Sequence, residues 1–283
     1  MKKIRYFAEA ILVYSLMALF RVMPSKAASS LGNFIGQNVA YRLLTSRKAL
    51  RHVERSLAVN NKFDTKRIVK EMWGNLGRLF AEYPHLTELY MNQSELVGIE
   101  NLGNIPTTPN SPAIFFSGHL ANWEISAPSL RQQNIDVDLI YRAPNNPYVK
   151  RILDKCRSMD GTLRTYPKSS QGMRQVIMAL KEGRRIGILI DQKYNQGIEI
   201  PFFGQPAMTS LAFIQLAKKF NCPLIPVQVE RLGNDAKFRV TIHKPLDLTK
   251  DDMTLITESH TMLENWIRAN PAHWLWLHKR WKA

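Results

Sequence analysis

The sequence predicts an α/β fold: a mixed, largely parallel sheet flanked by helices, with a helical N-terminal region carrying a membrane-anchoring segment. Three observations predict it. From Ala113 onward short apolar runs alternate with amphipathic stretches; residues 27–97 carry apolar positions at three- and four-residue spacing; and the stretch Ala10 to Phe20 is apolar almost all round a helix.

With 283 residues and 45% hydrophobic content the chain can bury a sizeable core. The domain reading is an anchor over residues 1–26 and one domain over 27–283, helical over 27–97 and α/β over 98–283. The formal charge of +16 suits an anionic partner. No zinc-finger cysteine pattern, RNP-like aromatic motif or long Lys/Arg block points to nucleic acid, and cationic residues interleaved with aromatics suit a membrane surface. Cys156 and Cys222 are the two cysteines, so no disulfide framework is implied and a reducing compartment is expected.

The elements follow in order. "MKKIRYFAEAILVYSLMALFRVMPSK" lacks a small-residue cleavage site, so a removed signal peptide is not expected. Its uninterrupted apolar core is short of the ~20 residues a span needs, and Tyr6 to Met23 reaches that length only by tolerating Glu9 and Arg21. A spanning or interfacial anchor is the preferred reading; a helix packed on the core is the alternative. "WGNLGRLFAEY" and "LTELYMNQSEL" read as helices. Arg42, Arg47, Lys48, Arg51 and Arg55 form a basic cluster, either a solvated face or a rest for anionic headgroups. "AIFFS", "DVDLIYR", "RRIGILIDQ" and "CPLIPVQVER" read as strands separated by helices such as "SSQGMRQVIMALKEG", the alternation of βα units. "FRVTIHKPL" reads as a later strand, antiparallel at an edge, and a final helix runs from about Met253 to Asn270.

Polar residues gather at the strand ends. "AIFFS" runs into Gly118-His119, "VDLIY" into Arg142, and "IGILI" into Asp191-Gln192. Ligands of open α/β sheets bind outside the carboxyl ends of the strands, so these three ends predict one polar rim.

His119 and Glu124 are the candidate catalytic pair. A five-residue offset turns about 140° on a helix, so the pair works only if His119 stays in the strand-to-helix turn and Glu124 lies in the first helical turn. Gly118 supplies a permissive turn residue. Glu124 would then accept from Nδ1–H of His119 and raise the basicity of Nε2. The alternative is a helix-capping acid beside a structural histidine. No His-Glu-x-x-His helix or other clear ligand cluster predicts a metal, and neither a G-x-S-x-G elbow nor a Walker loop is present. A base without a protein nucleophile predicts direct transfer to a substrate hydroxyl.

Four blocks in order carry a resemblance. His119-Leu-Ala-Asn-Trp-Glu124 matches a His-x4-Asp/Glu motif; "YRAPNNP", Tyr141 to Pro147, is followed by Arg157; "DQKYNQGIEIPFFGQPAMTS" spans Asp191 to Ser210; and "NPAHWLWLHKRW" ends at Trp281. Over nearly its whole length the chain resembles the late acyltransferases of lipid A biosynthesis, the lauroyl/myristoyl transferases related to glycerolipid acyltransferases. Lys279 departs from nothing, since it occupies a variable place in the closing block.

The resemblance implies acyl transfer from an acyl carrier protein thioester to a 3-hydroxyacyl hydroxyl of a Kdo-bearing lipid A precursor. It implies His119 as general base, Glu124 as its orienter, Arg157 and Asp191 as functional positions, no cofactor, and a place at the bacterial inner membrane with the catalytic domain facing the cytoplasm. Arg142, Arg157 and Gln192 are assigned to substrate, the arginines toward phosphate or carboxylate. Phe202, Phe203 and Gly204 either cap the site against an acyl chain or plug the core, and the resemblance favours the cap. Thr209, with Ser210, reads first as an N-cap for "LAFIQLAKKF" and second as a site residue. Four tryptophans between Trp266 and Trp281 suit either a headgroup interface or a core seal. The competing functions are the same chemistry on a lysophospholipid or glycolipid mannoside, and a non-catalytic basic module that binds membrane.

Overall fold

Helices dominate the first third of the chain because its apolar residues recur with helical spacing. The computed structural model describes residues 2–43, 45–57, 62–103, 111–157 and 163–281. Helices α1 (Lys2–Val22), α2 (Ser25–Asn38), α3 (Ser46–Leu57), α4 (Lys62–Glu82) and α5 (Leu86–Asn92) follow one another. Helix α4 crosses α2 with almost no space between backbones. A Cβ on Gly32 would lie 2.3 Å from the Gly77 carbonyl oxygen, and one on Gly36 would lie 2.0 Å from that of Trp73. This approach fixes α4, whose far end carries Asn75, Arg78 and Glu82 toward the sheet.

Helix α1 packs Ala10, Met17 and Phe20 inward. Asn146 Nδ2 ties it down, donating to the Tyr6 carbonyl at 2.8 Å and to Glu9 Oε2 at 3.1 Å. No described helix is long and apolar enough to cross a membrane, which corrects the spanning form of the anchor. The physical reason is in the sequence: Arg5, Glu9 and Arg21 interrupt the apolar run, and one face of α1 is spent on the domain. The opposite face leaves Ile4, Phe7, Ile11, Leu12 and Leu19 exposed.

The predicted helical region ends early, at β1 (Ser94–Val97). The sheet continues with β2 (Ala113–Ser117), β3 (Val137–Tyr141), β4 (Thr165–Pro167), β5 (Arg185–Leu189), β8 (Leu224–Arg231) and β9 (Phe238–Ile242), in the order β1-β9-β8-β2-β5-β3-β4. The five strands from β8 to β4 are mutually parallel. Strand β9 is antiparallel to β8, as expected, but it is not an edge: β1 pairs parallel on its outer side. Successive residues of β2 serve two cores. Ile114 and Phe116 join one apolar cluster, Ala113 and Phe115 the other, the period-two alternation of a strand buried on both faces.

Helices α6 (Ser126–Leu130), α7 (Pro147–Arg157), α8 (Ser170–Lys181), α9 (Ala212–Lys219) and α10 (Asp252–Ala269) complete the layers. The hairpin of β6 (Ile198–Phe202) and β7 (Gln205–Thr209) turns at Phe203-Gly204, with φ of 51° and 68°. Two consecutive positive φ values suit the right-handed twist of a two-residue hairpin. Because β5 lies between β2 and β3, the carboxyl ends of all three open onto one rim.

Candidate active site

His119 sits in a bend directly after β2, outside any helix, and Glu124 lies in a single 3-10 turn, Trp123–Ile125, as the sequence requires of the pair. The bend is held from several sides. Ala121 takes a φ of 47°, in the left-handed region, donates its N–H to the His273 carbonyl at 2.9 Å and accepts from Asn75 Nδ2 at 3.1 Å. Leu120 bridges to Trp274, so the chain's closing segment clamps the bend. Strain beside a site is stable only when its surroundings over-determine it, as here.

The carboxylate that meets His119 is Asp191, just past β5. Its Oδ1 lies 2.7 Å from Nδ1 of the ring, and its Oδ2 accepts from the His119 backbone N–H at 2.8 Å and from the Trp274 indole at 2.7 Å. Burial alone would raise this fully buried carboxyl; the His119 ring, by charge and hydrogen bond, and His278 outweigh it and hold Asp191 well below the usual carboxylate range. An ionised carboxylate only accepts, so Nδ1 carries the hydrogen, and Nε2 is the ring nitrogen left to act as a base. The Gln192 amide lies 3.3 Å from that Nε2 and 3.5 Å from Nε2 of His278. Burial first, and then the nearby His119 ring, pushes His278 down to about 4, so it is neutral near pH 7.

Glu124 does not orient His119. Arg157 Nε and Nη2 donate to Glu124 at 2.7 and 2.6 Å, the Tyr83 hydroxyl at 2.7 Å and the Trp123 indole at 3.1 Å. Burial would raise Glu124, but Arg157 outweighs burial and lowers it. Tyr83 is pushed well above its ordinary range by burial and by Glu124. The reason for the redirection is local. Asn122 Oδ1 accepts from the Glu124 N–H at 3.2 Å and starts the 3-10 turn, while Asn122 Nδ2 is anchored on Glu82 at 2.7 Å. Glu82 is itself held by Arg231 through two hydrogen bonds of 2.7 and 2.9 Å. The turn faces Glu124 toward α4 and α7, and Asp191 fills the place at Nδ1.

Both constellations open on one cavity of about 310 Å³. Its mouth carries His119, Arg142, Lys168, Gln192 and His278; its interior is walled by Phe115, Ala127, Leu130, Val137, Leu139 and Val227. Among the described residues, the buried Ser117 Oγ and Arg157 Nη1 have no hydrogen-bond partner, and both residues line this cavity. Buried polar atoms are otherwise almost always paired, so these two stand out among the residues around the cavity.

His119, Arg142, Asp191 and Gln192 thus gather where the strand ends predict, and Arg157 joins them from the end of α7. Phe202, Phe203, Gly204 and Thr209 do not. Phe202 and Phe203 are buried against Trp274, Trp276 and Trp281, so the hairpin plugs the core rather than capping the cavity. Gly204 serves the hairpin turn. The Thr209 hydroxyl donates to the Ala207 carbonyl at 2.8 Å and accepts from Arg280 Nη2 at 2.8 Å; it caps no helix, and Ser210 Oγ accepts from the Ala212 N–H instead. The four C-terminal tryptophans are all buried, the core-seal alternative. Trp274 and His278 join the site from the closing sequence block, where no local pattern marks them as site residues, and Tyr83 has no sequence signal at all.

His119, Asp191 and His278 also bring ligand-type atoms within 4.8 Å of one another. Both Asp191 oxygens are already engaged by N–H donors, so coordination there would require breaking hydrogen bonds that hold the bend.

The α/β sheet thus carries a His–Asp pair at its strand ends, beside a cavity with many apolar wall residues. Residues 1–283 match the family of bacterial lipid A biosynthesis acyltransferases, and the chain belongs to that family. It is therefore an acyltransferase of lipid A biosynthesis, and the family implies a lipid A precursor as acceptor. No curated protein matches the chain.

Proposed function

We propose that the protein transfers a fatty acyl chain from an acyl carrier protein thioester to a 3-hydroxyacyl hydroxyl of a Kdo-bearing lipid A precursor, with His119 as general base and Asp191 as its orienter. The observation that carries this reading is the Asp191–His119 pair at the mouth of a cavity with an apolar interior. The acceptor hydroxyl takes the place of the Gln192 amide at Nε2 and gives up its proton as its oxygen attacks the thioester carbonyl. A C–O bond forms, the tetrahedral intermediate collapses, the C–S bond breaks, and the imidazolium returns its proton to the departing thiolate. Asp191 keeps the tautomer and stabilises the imidazolium.

The two unspent donors suit the developing oxyanion. Ser117 and Arg157 line the cavity, and donors fixed before the reaction stabilise new charge at no reorganisation cost. Glu124 then has a positioning role, holding Arg157 against the cavity. Arg142 and Lys168, at the mouth, face the acidic groups of the acceptor.

The apolar outer face of α1 supports attachment to a membrane in the plane of its surface, where a +16 chain meets anionic headgroups. On this reading the protein works at the cytoplasmic face of the bacterial inner membrane, where donor and acceptor meet. The test is transfer of labelled acyl chain from acyl carrier protein to a tetraacylated, Kdo-bearing precursor, read by mass spectrometry. A new acyloxyacyl group is expected; transfer only to lysophospholipid or to a mannoside contradicts the acceptor assignment, and no transfer contradicts the catalytic reading.

A further inference from the structure

A glycine inside a parallel strand offers no side chain for packing, so Gly187 in the middle of β5 needs a reason. Backbone conformation does not supply one, because Gly187 is not among the residues with positive φ. The reason lies in what it faces. Gly187 is paired with Phe115 of β2 on one side and with Leu139 of β3 on the other. All three line the cavity, and Gly187 lies two residues below Leu189, about 7 Å down the strand from the rim.

A Cβ at Gly187 would come within 2.9 Å of Leu139 Cδ2 and 3.1 Å of Val137 Cγ1. Both contacts are with side-chain tips rather than backbone, so the sheet can accept a larger residue if those tips move. Both residues already line the cavity, and protein interiors leave little other free space, so the displaced methyl groups enter it. We propose that Gly187 sets the depth of cavity open to the acyl chain and thereby selects donors by chain length. The proposal rests on reading this cavity as the acyl site.

The full-length protein is tested with a mixture of saturated acyl carrier protein thioesters from octanoyl to palmitoyl, as wild type, Gly187→Ala, Gly187→Val and Gly187→Ala with Leu139→Ala. The readout is the chain-length optimum, which a purely structural defect would not move. Both single variants are expected to shift the optimum to shorter chains, with relative kcat/KM falling about fourfold for each methylene that no longer fits, the equivalent of ~0.8 kcal/mol per CH2. The double variant is expected to move it back, because truncating Leu139 reopens the same level. Should Gly187→Val not fold, Leu139→Phe narrows that level without touching β5 and is expected to give the same shift. An unchanged optimum, or an equal loss at every length in folded variants, overturns the proposal. A wild type that transfers no acyl chain overturns the reading of the cavity itself, before any variants are compared.

Discussion

Asp191 holds His119 at two points: Oδ1 meets the ring Nδ1 at 2.7 Å and Oδ2 the backbone N–H at 2.8 Å. One carboxylate therefore fixes both the tautomer of the ring and the bend that carries it. Glu124, five residues on, serves a different partner, and the two carboxylates have separable consequences.

Removing Glu124 should be felt first as lost stability. Its side chain is 5% exposed and that of Arg157 14%, so Glu124→Ala leaves a buried guanidinium without its counter-charge. Loss of one partner of such a pair costs about 3–5 kcal/mol. Urea unfolding is expected to show that loss, and a Glu124→Leu, Arg157→Met double variant to recover much of it. A Glu124→Ala protein as stable as wild type would contradict the locked pair.

Mild acid should also destabilise the fold. His260, His273 and His278 are each pushed down to about 4, in every case by burial first. Unfolded, they bind protons near pH 6.5. Between these values the unfolded chain holds more protons than the folded one, so stability rises with pH across that window and falls as pH is lowered through it. The urea midpoint is expected to drop steadily from pH 7 to pH 5. A flat midpoint would show that these histidines are not kept neutral.

The β6–β7 hairpin is a structural plug. Gly204 has a φ of 68°, and a side chain in left-handed backbone costs roughly 1–2 kcal/mol. Gly204→Val is expected to lower the unfolding free energy by at least this amount, with kcat/KM of the folded fraction unchanged. A selective loss of kcat/KM would return the hairpin to the site.

Helix α1 should carry membrane attachment on its outer face. Ile11, Leu12 and Leu19 are exposed there, and each apolar side chain of this size contributes about 1.5–3 kcal/mol when buried. Replacing all three with Glu is expected to abolish sedimentation with anionic vesicles while leaving the melting temperature in place. Retained binding would move attachment elsewhere, with the exposed Arg47, Arg51 and Arg55 of α3 as the first alternative.

Much of this was legible in the sequence because it depends on local pattern. The apolar runs of β2, β3, β5 and β8 announce the parallel sheet, and His119, Arg142 and Asp191 follow their strands at once, so the rim is written in the chain. What the pattern could not give is which carboxylate turns toward the ring. That choice depends on Asn122 being anchored on Glu82, on Arg157 arriving from α7, and on β5 inserting beside β2, and these relations join residues distant in sequence. The same holds for Tyr83, carried in by the close packing of α2 and α4, and for Phe202, buried by tryptophans some 70 residues later. Strand β1 is too short to break the helical periodicity around it.

The most direct test of the central claim compares pH–rate profiles of wild type, Asp191→Asn and Glu124→Gln with the acyl carrier protein thioester and the lipid A precursor. If Asp191 orients the base, Asp191→Asn lowers kcat by about 10²–10⁴-fold, the range general-base catalysis supplies, and removes the limb of the profile that reports it. Glu124→Gln then keeps that limb at its wild-type position, whatever it does to stability or KM. A limb lost in Glu124→Gln and preserved in Asp191→Asn would contradict the account.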